Sequence, residues 1–359
     1  MERHLQSAAR SSGREPRLRP VVTWLFVCCA LVFAMVVLGG VTRLTESGLS
    51  MVDWRPLTGL LPPLSGAEWQ DVFAAYQRHP EYQKLNPGMS LEAFKTIYWF
   101  EYAHRLLGRA IGLAFLLPFL FFLVTRRVRG AFALKLAGIL VLGAAQGLLG
   151  WYMVKSGLVD DPRVSPYRLT AHLGLAVAIY GLMFWLALGL AGFGSQRRAS
   201  APKSQRGLAG AVVALTFVTL LSGGLVAGND AGLAYNSFPL MDGRLVPRDY
   251  GLLEPVWRNL FENVAAVQFN HRAFAVLLVL TIAFSWFFAR AGDRDRRAPL
   301  DLLLVMAFVQ AGLGIATLLA YVPIPLAALH QAGALLVFTL AVWSLRSLSQ
   351  PGRLAARFR

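Results

Sequence analysis

The chain has 359 residues, 56% of them apolar and 15% charged. That balance excludes a soluble domain of this length and points to a bilayer protein. The net charge of +16 raises nucleic acid as a partner, but the arginines and lysines gather in short segments between long apolar runs, which is the signature of membrane topology and argues for no nucleic acid.

Each span needs about 20 mostly apolar residues. The tail 1–20 is arginine-rich, carries Glu2 and Glu15, and reads as a cytoplasmic anchor more than a transit peptide. The first span, 21–43, is too long for a cleaved leader, and no small-residue cleavage site closes it before Arg43. Its adjacent Cys28 and Cys29 point apart on a helix, as lipid-facing or packing residues, so neither a disulfide nor a cysteine metal site is expected. An outer segment, 45–97, carries turn signals at Pro62-Pro63 and Asn86-Pro87-Gly88, with short helices expected near 67–78 and 90–96. A connection that long suits a cover or a binding surface. Spans follow at 98–124, 131–154 and 168–191, then a basic linker, 195–207, of Gly, Ser, Pro, Arg and Lys. The second set comprises 208–228, a shorter outer segment at 229–264, then 265–289, 299–320 and 325–348, with a tail at 349–359. With eight spans, the basic clusters around Arg10, Arg127, Arg197, Arg296 and Arg357 all fall on one side, which places both termini in the cytoplasm.

The chain is one pattern written twice. Gly39-Gly40 aligns with Gly223-Gly224, and without a gap Gly48-Leu49 meets Gly232-Leu233, Trp54 meets Phe238, Gly59 meets Gly243 and Pro63 meets Pro247. Further on, Glu101-Tyr102-Ala103-His104-Arg105 answers Gln268-Phe269-Asn270-His271-Arg272. Gln146 to Gly150 answers Gln310 to Gly314, and Thr170-Ala171-His172 answers Ala328-Leu329-His330. The expected fold is therefore an all-α integral membrane protein whose eight transmembrane helices form two pseudo-symmetric parallel four-helix bundles, 21–194 and 208–348.

Of six histidines, His4 and His79 lie in polar segments and are expected to be solvated. His104, His172, His271 and His330 occupy the four even-numbered spans, each within the first two turns, and so share one depth just beneath the outer surface. A lone membrane histidine often serves structure by hydrogen bonding. Four of them, matched in depth and paired by the repeat, suit a metal ion or a heme iron held between imidazoles. Heme is favoured because no carboxylate or thiolate completes a compact metal set. Gly108 and Gly112 also flatten the face below His104, and Arg105 and Arg272 stand where propionates would reach water. Snorkelling to headgroups is the other reading of these arginines. Glu101 shares a helix face with His104, whereas its counterpart Gln268 cannot exchange a proton. The first half thus has a candidate acid/base group beside its histidine, unless that carboxylate reaches outer water.

These residues resemble the heme A synthase family over nearly the whole chain, from about 21 to 348. The most specific pieces are Glu101 to Arg105, the run Gly40 to Ser50 (GVTRLTESGLS), and Gln146 to Leu158 with Trp151, Met153 and Ser156-Gly157. The resemblance implies oxidation of a porphyrin methyl group of heme O to the formyl group of heme A, through hydroxylated intermediates, for cytochrome oxidase biogenesis. It implies a substrate heme near His104, His172 and Arg105, with Glu101 in proton transfer or carbocation stabilisation. It further implies a resident heme b held by His271 and His330, with Arg272 beside it. The implied partners are the farnesyltransferase that forms heme O, cytochrome oxidase assembly factors, an unidentified electron acceptor, membrane lipid and a second copy in a homo-oligomer. Some members carry a cysteine pair in the first outer loop, but residues 45–97 contain none, as in the proteobacterial and mitochondrial type. A bacterial inner membrane, with the heme sites near the periplasmic face, is the expected location.

Two other readings fit the histidines. A diheme b-type electron-transfer protein would normally stack its hemes across the bilayer, two ligands per helix, unlike the one-per-helix arrangement here. A heme carrier or assembly factor explains the ligands but gives no reason for Glu101.

Overall fold

The computed structural model describes residues 15–52, 61–157, 162, 164–192, 201–289 and 294–349. Ten α-helices run through them: α1 (Glu15–Leu44), α2 (Gly66–Gln77), α3 (Pro80–Lys84), α4 (Leu91–Val124), α5 (Gly130–Gly157), α6 (Pro166–Leu190), α7 (Lys203–Gly228), α8 (Val264–Ala289), α9 (Arg294–Leu319) and α10 (Ile324–Leu348). Eight of these, all but α2 and α3, are long and apolar enough to cross a membrane. The structure agrees with the eight spans of the sequence pattern, because every helix satisfies its own backbone polar groups and so tolerates lipid.

Three boundaries differ from the sequence reading. The short helix expected near 90–96 is no separate element: Ser90 accepts from the Ala93 N–H at 3.2 Å and caps a helix that continues unbroken through the span. His104 consequently stands in the fourth turn of α4, not in the first two. Residues 203–207 of the expected linker are the first turn of α7, and residues 15–20 of the expected tail already belong to α1. The linker residues 195–200, Trp54 and Gly59 of the repeat, Leu158, and the basic positions Arg10, Arg197 and Arg357 lie outside the described residues.

The same helix pairings recur in both halves. Helix α1 packs on α4 and α6 as α7 packs on α8 and α10, while α6 meets α7 and α1 meets α10 across the halves. The repeated glycine pairs explain how the backbones come this close. A Cβ on Gly40 would overlap the Gln331 amide of α10, and one on Gly224 would sit 3.1 Å from Thr170 Oγ1 of α6. The turns that follow repeat as well, since Glu46 and Asp230, 184 positions apart, are both left-handed at φ 51°.

The largest core gathers Trp24, Leu25, Phe115, Phe119, Phe132 and Tyr180, among others, between α1, α4, α5 and α6. Trp24 Nε1 donates to the Ala114 carbonyl at 2.8 Å, which satisfies its polar edge away from water. Cys28 and Cys29 are both buried free thiols in this core, so packing, not lipid contact, is their place.

Outside the spans, the first outer segment is pinned by aromatic contacts. Helix α2 starts with a capping box between Ser65 and Glu68. It lays Trp69 on Tyr98 and Tyr76 on Phe94, each with ring centres 5.0 Å apart, using the outward extension of α4 as its floor. The second outer segment is held by amides instead: Asn263 Nδ2 donates to the Asp249 carbonyl at 2.6 Å, and Tyr250 donates to Asn270 at 3.0 Å.

Candidate heme-binding sites

Each of the four membrane histidines rests on a glycine of the preceding membrane-spanning helix in the same half. Cβ atoms built on Gly39, Gly150, Gly223 and Gly314 would lie 2.9, 2.9, 3.2 and 2.8 Å from Cε1 of His104, His172, His271 and His330. Real Cβ atoms scarcely ever approach as closely as the first, second and fourth of these, and 3.2 Å is tighter than most, so each glycine is the seat of an imidazole. The sequence repeat aligns Gly39 with Gly223 and Gly150 with Gly314, yet their partnership with the histidines is visible only in the fold. Of the glycines expected to flatten the face below His104, Gly108 packs near Met35 and Gly112 faces open space.

In the second half, His271 and His330 face each other with ring centres 6.4 Å apart and planes at 88°. Two iron–nitrogen bonds of about 2 Å, plus about 1 Å from each nitrogen to its ring centre, put the centres about 6 Å apart in a metal-bridged pair. His271 Nδ1 lies 2.8 Å from Ser222 Oγ, whose own hydroxyl donates to the Thr219 carbonyl at 2.7 Å. When that hydroxyl proton is on the Thr219 carbonyl, Oγ accepts from the imidazole, which also lies within hydrogen-bond reach of the same carbonyl. Nδ1 then carries the ring proton and leaves Nε2 bare, as a metal ligand requires. Arg272 follows His271 directly, and its Nε is buried without a partner among the described residues. No three His, Cys, Asp or Glu side chains converge as a bare-metal set among the described residues. Two facing imidazoles fit an iron whose other positions would be filled by a macrocycle.

In the first half, His104 and His172 are electrostatic neighbours. Glu101 is 3% exposed and densely bonded. Its Oε2 accepts from Ser50 Oγ at 2.7 Å and the Met51 N–H at 2.6 Å, while Oε1 pairs with Arg105 at 2.5 Å. Arg105 also donates to the Met51 carbonyl at 2.9 Å. Glu101 thus does not reach open water, and it ties the run after α1 to α4. The second half repeats the latch with the polarity of one partner reversed: Gln268 Nε2 donates to the Ala231 carbonyl at 2.7 Å, and Arg272 donates to the Tyr235 carbonyl at 2.7 Å. Met51 and Tyr235 are equivalent in the repeat. Ser50, Met51, Ser222 and Gln310 escaped the sequence reading as site residues. Ser222 did leave a signal, because it precedes Gly223 where the first half has Leu38 before Gly39.

Comparison with known proteins sharpens this picture. The family of cytochrome oxidase assembly proteins matches residues 22–342, all eight spans from first to last. The chain belongs to that family. It is 58% identical to a heme A synthase of Nitrosospira multiformis over 90% of this chain and 92% of the other. A heme A synthase of Nitrosomonas eutropha is 52% identical, covering 92% and 94% of the two chains. One from Paramagnetospirillum magneticum is 48% identical, covering 96% and 99%. The resemblance carried by the glycine, glutamate and histidine motifs therefore extends over the full membrane part. His79, in the outer segment, is half-buried at the start of α3, and His4 lies outside the described residues.

Proposed function

We propose that this chain is a heme A synthase, which oxidises a methyl group of heme O to the formyl group of heme A. The observation that carries the reading is the unequal pair of sites: two histidines on glycine seats in each half, but a buried carboxylate, Glu101, beside only one pair. The net change converts a methyl carbon and water into a formyl group, four protons and four electrons. Such a reaction needs a group for protons or developing positive charge at one site and an electron route at the other. Glu101 is assigned the first task, and His104 and His172 hold the substrate heme, with Arg105 steadying Glu101 and available to a propionate. His271 and His330 would hold heme b, and Arg272 Nε, which has no partner among the described residues, would be available to a carboxylate of that group. When bound, heme b supplies one-electron redox chemistry.

The halves 21–194 and 208–348 are the substrate and cofactor bundles in this reading. The charge pattern supports a bacterial inner membrane, cytoplasmic termini and sites near the periplasmic face. The aromatic outer segment roofs the substrate side. Heme O is supplied by its farnesyltransferase, the product goes to oxidase assembly, and the electron acceptor lies beyond this chain.

The test is Glu101→Gln in the full chain, in cells that make heme O. Bound heme should stay near the wild-type amount while heme A falls by about a hundredfold, the range lost with a positioned proton-transfer group. Undiminished heme A in the extracted pigments would favour the carrier reading and reject this one.

A further inference from the structure

The two halves differ in what faces the back of their histidines. On the second side, His271 Nδ1 has the Ser222 hydroxyl at 2.8 Å, itself anchored on Thr219. On the first side, Leu38 replaces Ser222, and His104 Nδ1 is buried with no partner among the described residues. In the other pair, Gln146 and Gln310 both donate to the backbone carbonyl of their histidine, His172 at 2.9 Å and His330 at 2.8 Å. Gln310 Nε2 also lies 3.0 Å from His330 Nδ1, where it can only donate, while His172 Nδ1 has no partner among the described residues. A second substitution accounts for this difference. Gly333 makes room for Gln310, since a Cβ there would overlap Gln310 Oε1, and the first half has Leu175 at the equivalent position.

A hydrogen bond from Nδ1–H makes an imidazole a stronger and better-oriented ligand, and such partners change metal affinity about 10–100-fold. We propose that Ser222 is the residue that makes the second-half heme permanent, and that Leu38 at the equivalent place keeps His104 a weak, exchangeable ligand so that substrate and product can pass through the first half. Ser222 is a positioning residue: it acts through His271 and touches no substrate. Residence time is set by one buried hydroxyl present in one bundle and absent from the other. This inference rests on the ligand assignment above.

The experiment uses the purified full chain with its bound heme, and apomyoglobin as the heme acceptor. Ser222→Ala should release heme b about tenfold faster or more, and its midpoint potential should rise, because a less basic imidazole favours the ferric state less. Ser222→Thr, which keeps a hydroxyl, should restore both values. The converse variant, Leu38→Ser, is made in a His271→Ala background and loaded with added heme b. There the new hydroxyl can anchor on the Met35 carbonyl, and release should slow about tenfold relative to the His271→Ala parent. Unchanged release and potential in Ser222→Ala overturn the inference, as does faster release with an unmoved potential, which would mark mere packing. If instead His271→Ala keeps its full b-type absorbance, the ligand assignment itself has failed, and that result is read independently of Ser222.

Discussion

The two histidine sites are built on one scaffold and finished differently. Both seat their imidazoles on glycines at matching repeat positions, and both use an arginine one residue after the histidine to clasp the same outer-segment carbonyl, Met51 or Tyr235. In the first half that clasp includes an ion pair, and the imidazoles have Nδ1 atoms unpartnered among the described residues. In the second it is an uncharged amide, and His271 has the Ser222 hydroxyl behind it. Duplication supplied the placement twice. A handful of buried polar substitutions then set the two sites apart, and such groups act strongly where the dielectric is low.

The largest test of this contrast is His271→Ala, which should remove the second-half heme altogether, read as the loss of b-type absorbance at wild-type protein yield. Next comes the pair of clasp variants. Arg105→Leu strands a buried carboxylate and should destabilise the chain by about 3–5 kcal/mol, whereas Arg272→Leu strands only neutral acceptors and should cost about 1–3 kcal/mol. Equal losses in thermal unfolding would mean that Glu101 is no more costly to leave alone than Gln268, and the chemical distinction between the halves would weaken. Gly314→Ala is expected to push His330 off its seat and lower heme occupancy about tenfold, while Gly112→Ala, facing open space, should leave it unchanged. Matching losses at both positions would show that the glycine contact is not what seats the ring.

The smallest effect concerns the roofs. Glu81, in α3, is 3% exposed, and burial raises its carboxyl to about 8, against a smaller opposing hydrogen bond from Tyr76. Its neighbours Glu101 and Glu46 add to the rise. Between the ordinary carboxylate range and pH 8 the folded segment holds a proton that the opened segment has released. Ionisation therefore opposes folding: the first outer segment should be firmest at low pH, loosen as pH climbs to about 8, and change little above it. The second roof depends on Asn259 and Asn263, whose amides do not titrate, and should show no such slope. Amide hydrogen exchange across pH 5–9 separates the two roofs, and Glu81→Gln should flatten the first. A persistent slope in that variant would assign it to another group.

Much of this was legible in the chain itself. The eight spans, their order and the repeat follow from apolar runs and recurring motifs, and the unequal Glu101 and Gln268 follow from the alignment. A helix near 90–96 was legible, but its continuity with the span was not, because residues 91–97 are too polar to read as membrane and extend α4 outward behind the Ser90 cap, as the aromatic floor of α2. Nor was the true setting of Glu101, since Ser50 and Met51 lie about fifty positions away along the chain.

Hydropathy is additive along a chain, so sequence alone was enough to determine which segments enter the bilayer and which four helices bear histidines. Which glycine seats which ring, and whether an Nδ1 finds an acceptor, depend on how far each helix is turned about its own axis against its neighbours. Hydrogen bonds weaken steeply over fractions of an ångström. Only the packed tertiary structure sets distances that finely, and for that reason it decided the difference between His104 and His271.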